Sequence, residues 1–152
     1  MANEEQIIIF DIGREKFGIK IVRVDEIIRM KEITQLPDSS SYMVGIINLR
    51  GNIISVIDLR KRFGIEEPEN TDDTRIVVVE FENQKVGLIV DAVSEVFHID
   101  KKEIDDPPKS MVGIKDDYLR GIIKINDDIV ILLELDDLLR SDEKIELEQD
   151  NE

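Results

Sequence analysis

Few residues in this 152-residue chain have the types and spacing that chemistry needs. There is one histidine, His98, and no cysteine. His98 stands between Phe97 and Ile99, with no serine or cysteine partner in a nucleophile motif. It reads as a residue at a strand edge rather than a general base. Aspartates come in doublets, at Asp72-Asp73, Asp105-Asp106, Asp116-Asp117, Asp127-Asp128 and Asp136-Asp137. A metal site or a glycosidase pair would need such carboxylates to converge in a pocket. These doublets fall instead in expected turns or helix starts, where aspartate accepts local backbone hydrogen bonds. EF-hand spacing, a phosphate loop, a nucleophile elbow and the Rossmann glycine pattern are all absent. The sequence therefore names no catalytic residue, no metal ligand and no cofactor, and the expectation is a protein that is not an enzyme.

The remaining candidate is a cation. The stretch Gly45 to Gly64, GIINLRGNIISVIDLRKRFG, holds two apolar runs, Ile46–Leu49 and Ile53–Ile57, separated by Arg50, Gly51 and Asn52. Gly51 supplies the positive φ of a tight turn and Asn52 tolerates one, so the stretch reads as a β-hairpin with Arg50 at its turn. Asp58 then caps a short basic turn, Leu59 to Phe63, that Gly64 closes. A core hairpin with an exposed positive tip is one reading. A recognition surface is the other, because the arginine sits on a rigid scaffold in a chain of net charge −15.

That charge argues against nucleic acid and against anionic membranes, which need a cationic face. The longest apolar runs are about five residues, far short of the ~20 that span a bilayer, so no direct membrane insertion is expected. The N-terminus is acidic and lacks a secretory pattern. The chain is 41% hydrophobic but only 5% aromatic, so Ile, Val and Leu must build the core, and that composition favours strands.

Expected strands are Ile7–Ile12, Lys16–Ile21, Ile76–Phe81, Val86–Val90, Ile122–Ile125 and Ile129–Leu135, with turns at Gly13-Arg14-Glu15, Glu82-Asn83-Gln84 and Asn126-Asp127-Asp128. Val22–Arg29 is a short helical turn or a twisted strand; its periodicity fits both. Pro37–Ser41 and Asp105–Ser110 are loops, and Glu66–Thr74 is a hydrophilic connector. Asp136 or Asp137 is expected to cap a terminal helix with Leu138, Leu139, Ile145 and Leu147 on its apolar side.

These segments repeat. A shift of 69 places Ile7–Ile28 on Ile76–Phe97, with Gly18 on Gly87 and Glu26 on Glu95. A shift of 71 places Lys31-Glu32-Ile33 on Lys102-Glu103-Ile104, and one of 76 places Tyr42 on Tyr118, Gly45-Ile46-Ile47 on Gly121-Ile122-Ile123 and Leu59 on Leu135. Three blocks in the same order imply two similar β-subdomains, each of about five strands, closing into barrels to remove their edges. The copies run over about 6–66 and 74–140, and the chain has the option of crossing between barrels. Arg50 and the basic turn Arg60-Lys61-Arg62 exist in one copy alone, replaced by Asn126 and Asp136-Asp137-Leu138 in the other.

The assembled pattern resembles the CheW family of chemotaxis coupling proteins over about residues 6 to 140. The carrying residues are Gly18-Ile19, Val24 to Ile28, Gly45 to Gly51 and Val56 to Leu59, then Val86 to Asp91, Val93, Val96 and Gly121-Ile122. The resemblance implies an all-β fold: one domain of two SH3-like five-stranded β-barrels packed about a shared core, with short helical turns and a C-terminal helix. Residues 141–152 would then be the helix end and an acidic tail. It also implies a non-catalytic adaptor in the cytoplasm, at the receptor array on the inner membrane face. Such an adaptor joins methyl-accepting chemoreceptor tips to the regulatory domain of the histidine kinase CheA and is a monomer when isolated. Receptor docking in the family uses a groove between barrels, which carries over to Val24, Glu26, Gly45, Arg50 and Val96; no kinase-docking residue carries over. The alternatives are a coupling protein of another chemosensory-type pathway and, from a different class, a small-ligand-binding β-barrel.

Overall fold

β-Branched runs punctuated by two-residue turns produce ten short strands among the described residues. The computed structural model describes residues 3–37, 42–107 and 118–140. In chain order these are β1 (Glu4–Ile12), β2 (Glu15–Lys20), β3 (Val24–Arg29), β4 (Met43–Leu49) and β5 (Asn52–Asp58), then the one-turn helix α1 (Leu59–Arg62). They continue with β6 (Arg75–Phe81), β7 (Gln84–Val90), β8 (Ala92–Asp100), β9 (Leu119–Ile125) and β10 (Asp128–Leu133), and residues 135–140 are helical.

The strands form two five-stranded sheets, ordered β8-β1-β2-β10-β9 and β3-β6-β7-β5-β4. Numbered within its own sequence copy, each sheet runs third, first, second, fifth, fourth. The first two strands come from one copy and the other three from its counterpart. The copies have therefore exchanged strands and meet twice in each sheet, once at the third strand and once in a parallel pair: β5 with β7 from Ser55↔Val86 to Asp58↔Ile89, and β10 with β2 from Val130↔Lys16 to Leu132↔Gly18.

Each sheet closes on itself through a two-bond bridge. Thr34, beyond β3, exchanges backbone hydrogen bonds of 2.9 Å with Ile46 on β4, and Asp105, beyond β8, exchanges bonds of 2.8 Å with Ile122 on β9. Closure satisfies the end strands, which is why small curled sheets become barrels. The approach is so close that a Cβ on Gly45 would lie 2.2 Å from the Thr34 carbonyl oxygen, and one on Gly121 would lie 2.7 Å from that of Asp105. Gly45 also has φ +148°, open only to glycine.

The chain forms two compact units. Unit 1 comprises Met1–Ile9, Glu15–Ile21 and Glu95–Glu152, and unit 2 comprises Phe10–Arg14 and Val22–Ser94. The core of unit 2 is Ile47, Leu49, Ile54, Val56, Ile76, Val78 and Ile89. That of unit 1 is Ile7, Ile9, Ile99, Ile123, Val130 and Leu132. The repeat shifts place Ile7 on Ile76, Ile9 on Val78, Ile123 on Ile47, Val130 on Ile54 and Leu132 on Val56, so the same positions fill both interiors. The connector Glu66–Thr74 lies wholly inside unit 2, while the chain passes between units within the sequence copies.

Several local expectations are corrected. The β4–β5 turn uses Arg50 (φ 52°) and Gly51 (φ 89°), a type I′ turn, and Asn52 is the first residue of β5. Val22–Arg29 is both of its alternatives in succession: a 3₁₀ turn over Ile21–Arg23, then β3. The last helix begins at residue 135, so Asp136 and Asp137 lie inside it and Glu134 holds the cap position, its carbonyl accepting the Leu138 N–H at 3.1 Å. The repeat explains this, since Glu134 is the counterpart of Asp58, the N-cap of α1. Ile145, Leu147, Asp116-Asp117, residues 38–41 of one loop and 108–110 of the other lie outside the described residues.

Candidate functional site: an arginine-tipped hairpin

The β4–β5 hairpin is built to hold its tip still. Asn48, on the last turn-facing stretch of β4, accepts the Gly51 N–H on its side-chain oxygen at 2.8 Å, and its backbone carbonyl accepts Lys31 Nζ at 2.5 Å. With both central residues at positive φ, the Arg50 backbone direction is fixed, and its side chain reaches β3. There the guanidinium grips Glu26 with two hydrogen bonds, Nη1 to Oε1 at 3.1 Å and Nη2 to Oε2. A planar fork on a carboxylate fixes orientation as well as charge.

Glu26 faces the tip because β3 carries a bulge. Val24 pairs with Val79 and Glu26 with Val78, so Asp25 is the extra residue. A bulge re-aims the side chains beside it. Asp25 meets Lys85 of β7 at 3.0 Å, and Arg23 Nη2 donates to the Glu80 carbonyl at 2.9 Å. The Arg50 side chain keeps 65% of its surface exposed and that of Glu26 26%. The pair is thus ordered yet open to a partner, and in such exposure it adds little to stability.

The Arg50 hydrogen bonds hold the Glu26 carboxyl below its ordinary value of 4.5, against a smaller opposing effect of desolvation. A carboxylate depressed on folding contributes stability above its unfolded value and loses it as pH falls through the folded one. The link is therefore complete above about pH 4.5 and fades only in stronger acid. An NMR titration of Glu26 should give a midpoint below the ordinary glutamate value, and Arg50→Ala should return it upward. A midpoint unmoved by that substitution would contradict the pair.

Of the five residues carried over, Glu26 and Arg50 meet directly, and Val24 lies two positions before Glu26 on β3. Gly45 is placed for its backbone, against Thr34. Val96 belongs to unit 1, on β8, and is 43% exposed. His98 is also on β8, an end strand of its sheet order, where its Nε2 lies 3.1 Å from Gln6 Nε2.

Sequence reasoning missed Arg60. It lies in the basic turn that one copy alone carries, and it is 2% exposed. Nε and Nη2 each bond Asp58 at 3.0 Å; Nη1 reaches Asp91 at 3.3 Å and the Glu69 carbonyl at 3.1 Å, and Nη2 reaches Asn70 Oδ1 at 2.8 Å. Asp91 also accepts the Gly13 N–H at 2.6 Å. Burial disfavours the Arg60 charge, and the Asp58 and Asp91 carboxylates more than offset it, raising its affinity for the proton. The available signal was the i,i+2 spacing of Asp58 and Arg60 in a single copy, without any sign of burial.

Two clefts in unit 2 bear on the small-ligand alternative. One, of about 310 Å³, has Met30, Ile33, Val44 and Ile89 beside Arg60, whose five N–H donors match its five acceptor contacts. The other, of about 330 Å³, is lined by Asn52 to Ser55, Gln84 and Lys85. Among the described residues, neither cleft is lined by a buried side-chain polar atom left without a hydrogen-bond partner, the kind of group that fixes a small ligand. Among the described residues no cluster of acidic or histidine side chains is arranged to hold a metal, and no helix is long and apolar enough to cross a membrane.

The CheW-like domain model matches residues 6–143. The chain belongs to the CheW-like family. It is 32% identical over 148 residues to a chemotaxis protein CheW of Treponema pallidum, covering 93% of this chain and 87% of that one. It is 34% identical over 142 residues to one of Helicobacter pylori, covering 92% and 86%. The crystal structure of the scaffolding protein TtCheW from Thermoanaerobacter tengcongensis matches with a TM-score of 0.80 at 42% identity, over 88% of this chain and 86% of that one. This CheW-like chain is a non-catalytic chemotaxis coupling adaptor, and its paired barrels are the fold of that family.

Proposed function

We propose that this CheW-like chain works in the cytoplasm as the link between methyl-accepting chemoreceptor tips and the regulatory domain of the histidine kinase CheA. It acts as a single domain over residues 6–140, with the Arg50 hairpin and the β3 edge as its receptor-docking surface. The observation that carries the reading is Arg50 itself. It is an exposed guanidinium fixed at a type I′ tip by Glu26, in one copy of a repeat whose other copy has Asn126 there, at φ 57°. Folding requires the positive-φ turn in both copies, but not a cation.

A receptor tip built as a helical hairpin offers an apolar stripe flanked by carboxylates. Val24 supplies apolar contact to the stripe, and the outward edge of the Arg50 fork meets a flanking carboxylate. Glu26 orients the fork, and Gly45 lets β4 approach Thr34 closely enough to seat the hairpin.

Purified chain carrying Arg50→Glu should lose capture of a receptor cytoplasmic fragment by tenfold or more, while capture of the CheA regulatory domain and the melting temperature stay near wild type. Equal receptor capture by wild type and variant would reject Arg50 as the docking residue. Capture of neither partner by the wild type would reject the coupling reading.

A further inference from the structure

The β4–β5 hairpin that carries Arg50 packs Ile47, Leu49, Ile54 and Val56 into the core of unit 2, but its backbone joins the neighbouring strands only over short seams. On one side β5 joins β7 through four parallel register pairs, Ser55↔Val86 to Asp58↔Ile89, whereas β6 and β7 share seven. On the other side β4 has the two-bond bridge to Thr34. The parallel seam is also where strands of the two sequence copies meet, so no turn ties them covalently. A carboxylate stands beyond each of its ends on the same side: Asp58 terminates β5, and Asp91 follows β7. Unscreened, these like charges would push the strand ends apart.

Arg60 stands between them. Its Nε and Nη2 hold both oxygens of Asp58, its Nη1 holds Asp91, and its remaining contacts pin the connector at Glu69 and Asn70. Asp91 passes the tie on to Gly13 N and, through its own N–H, to the Asp11 carbonyl at 2.9 Å. The counterpart seam of unit 1, β10 with β2, does not repeat these three residues. The residues equivalent to Asp58, Arg60 and Asp91 are Glu134, Asp136 and Val22. The arginine that ties the β5–β7 seam is thus specific to one copy, and an aspartate takes its position in the other, although the surrounding strand order is the same.

We propose that Arg60 is a positioning residue for docking: by stapling the β5–β7 seam it fixes the root of the hairpin whose tip presents Arg50. This rests on the docking role given to Arg50 above. The staple acts through β5, which runs from Asn52, beside the tip, to Asp58 at the root. Slack at the root becomes displacement at the tip, and a misplaced fork cannot meet a carboxylate in two-bond geometry.

The test uses the whole chain with Arg60→Lys, which keeps the charge but loses the fork, alongside Arg50→Ala. Hydrogen exchange of the Ser55–Asp58 and Val86–Ile89 amides should accelerate at least tenfold in Arg60→Lys, with the Ile76–Val79 amides of β6 and the β10–β2 seam of unit 1 near wild type. Receptor-fragment affinity, measured well below the melting temperature of both proteins, should fall about fivefold to tenfold. A purely structural arginine would shift melting and leave that affinity alone. Unchanged exchange at the seam overturns the staple. Accelerated exchange with unchanged affinity, while Arg50→Ala abolishes binding, overturns the positioning role. Unchanged affinity in both variants overturns the docking reading and the positioning role with it, and the exchange data then describe the staple alone. Should Arg60→Lys not fold, Asp91→Asn, which weakens one arm of the staple from a partly exposed position, is put through the same two measurements and judged by the same outcomes.

Discussion

Arg60→Ala lowers the unfolding free energy by about 3–5 kcal/mol, the cost of leaving a buried ionic partner unpaired. The substitution strands Asp58, itself 3% exposed, and removes the contacts that hold Asn70 and the Glu69 carbonyl. In a chain of this length that corresponds to a fall in melting temperature of roughly 10 °C. Lys61→Ala, one residue along the same helical turn, should change stability by less than about 0.5 kcal/mol. Denaturant melts of the two variants side by side make the comparison. Equal losses, or no loss from Arg60→Ala, would mean the network is not formed. Restoring hydrophobic packing with Arg60→Met should recover little, because two carboxylates would still face each other.

Gly45→Ala is the second large effect, at roughly 3–5 kcal/mol, from a strained positive φ together with steric overlap. Its new Cβ would meet the Thr34 carbonyl oxygen at 2.2 Å and Ile33 Cγ2 at 2.9 Å. The first neighbour is backbone already committed to the bridge that closes the barrel, so it cannot move aside without breaking two hydrogen bonds. Gly121→Ala is the internal control. It meets Ile104 Cγ2 at 2.6 Å and the Asp105 oxygen at 2.7 Å, but without a left-handed φ. Both should destabilise, Gly45→Ala more. The reverse order in urea unfolding would show that φ strain is not the larger component. The comparison also separates the two meanings of Gly45 as a docking residue. Receptor binding lost only together with stability marks its role as seating the hairpin.

The repeat shows why similar sequences can serve different ends. Arg50 and Arg60 are both confined to one copy, a property that singled out Arg50 as functional. The same property describes Arg60, which is buried and wholly engaged within its unit. Single-copy residues therefore include two kinds: those that face a partner, and those that hold the partner-facing element in place. Charge and spacing are alike for the two; exposure, 65% for the Arg50 side chain against 3% for that of Arg60, tells them apart.

The sequence by itself determined the all-β class, the two-fold repeat, the turn at Arg50, the cap at Asp58 and the family. Each is a matter of local chemistry or linear pattern: β-branched runs, glycine in a tight turn, and aspartate before a helical turn. Tertiary structure alone decided which strands share a sheet, because pairing the first two strands of one copy with the last three of the other leaves the linear pattern unchanged. It alone decided that Arg50 meets Glu26, which depends on a bulge at Asp25, and that Arg60 is buried, which depends on Asp91 arriving 31 positions later beside Asp58. Burial and partnership are properties of residues brought together across the chain, and no window along it contains them.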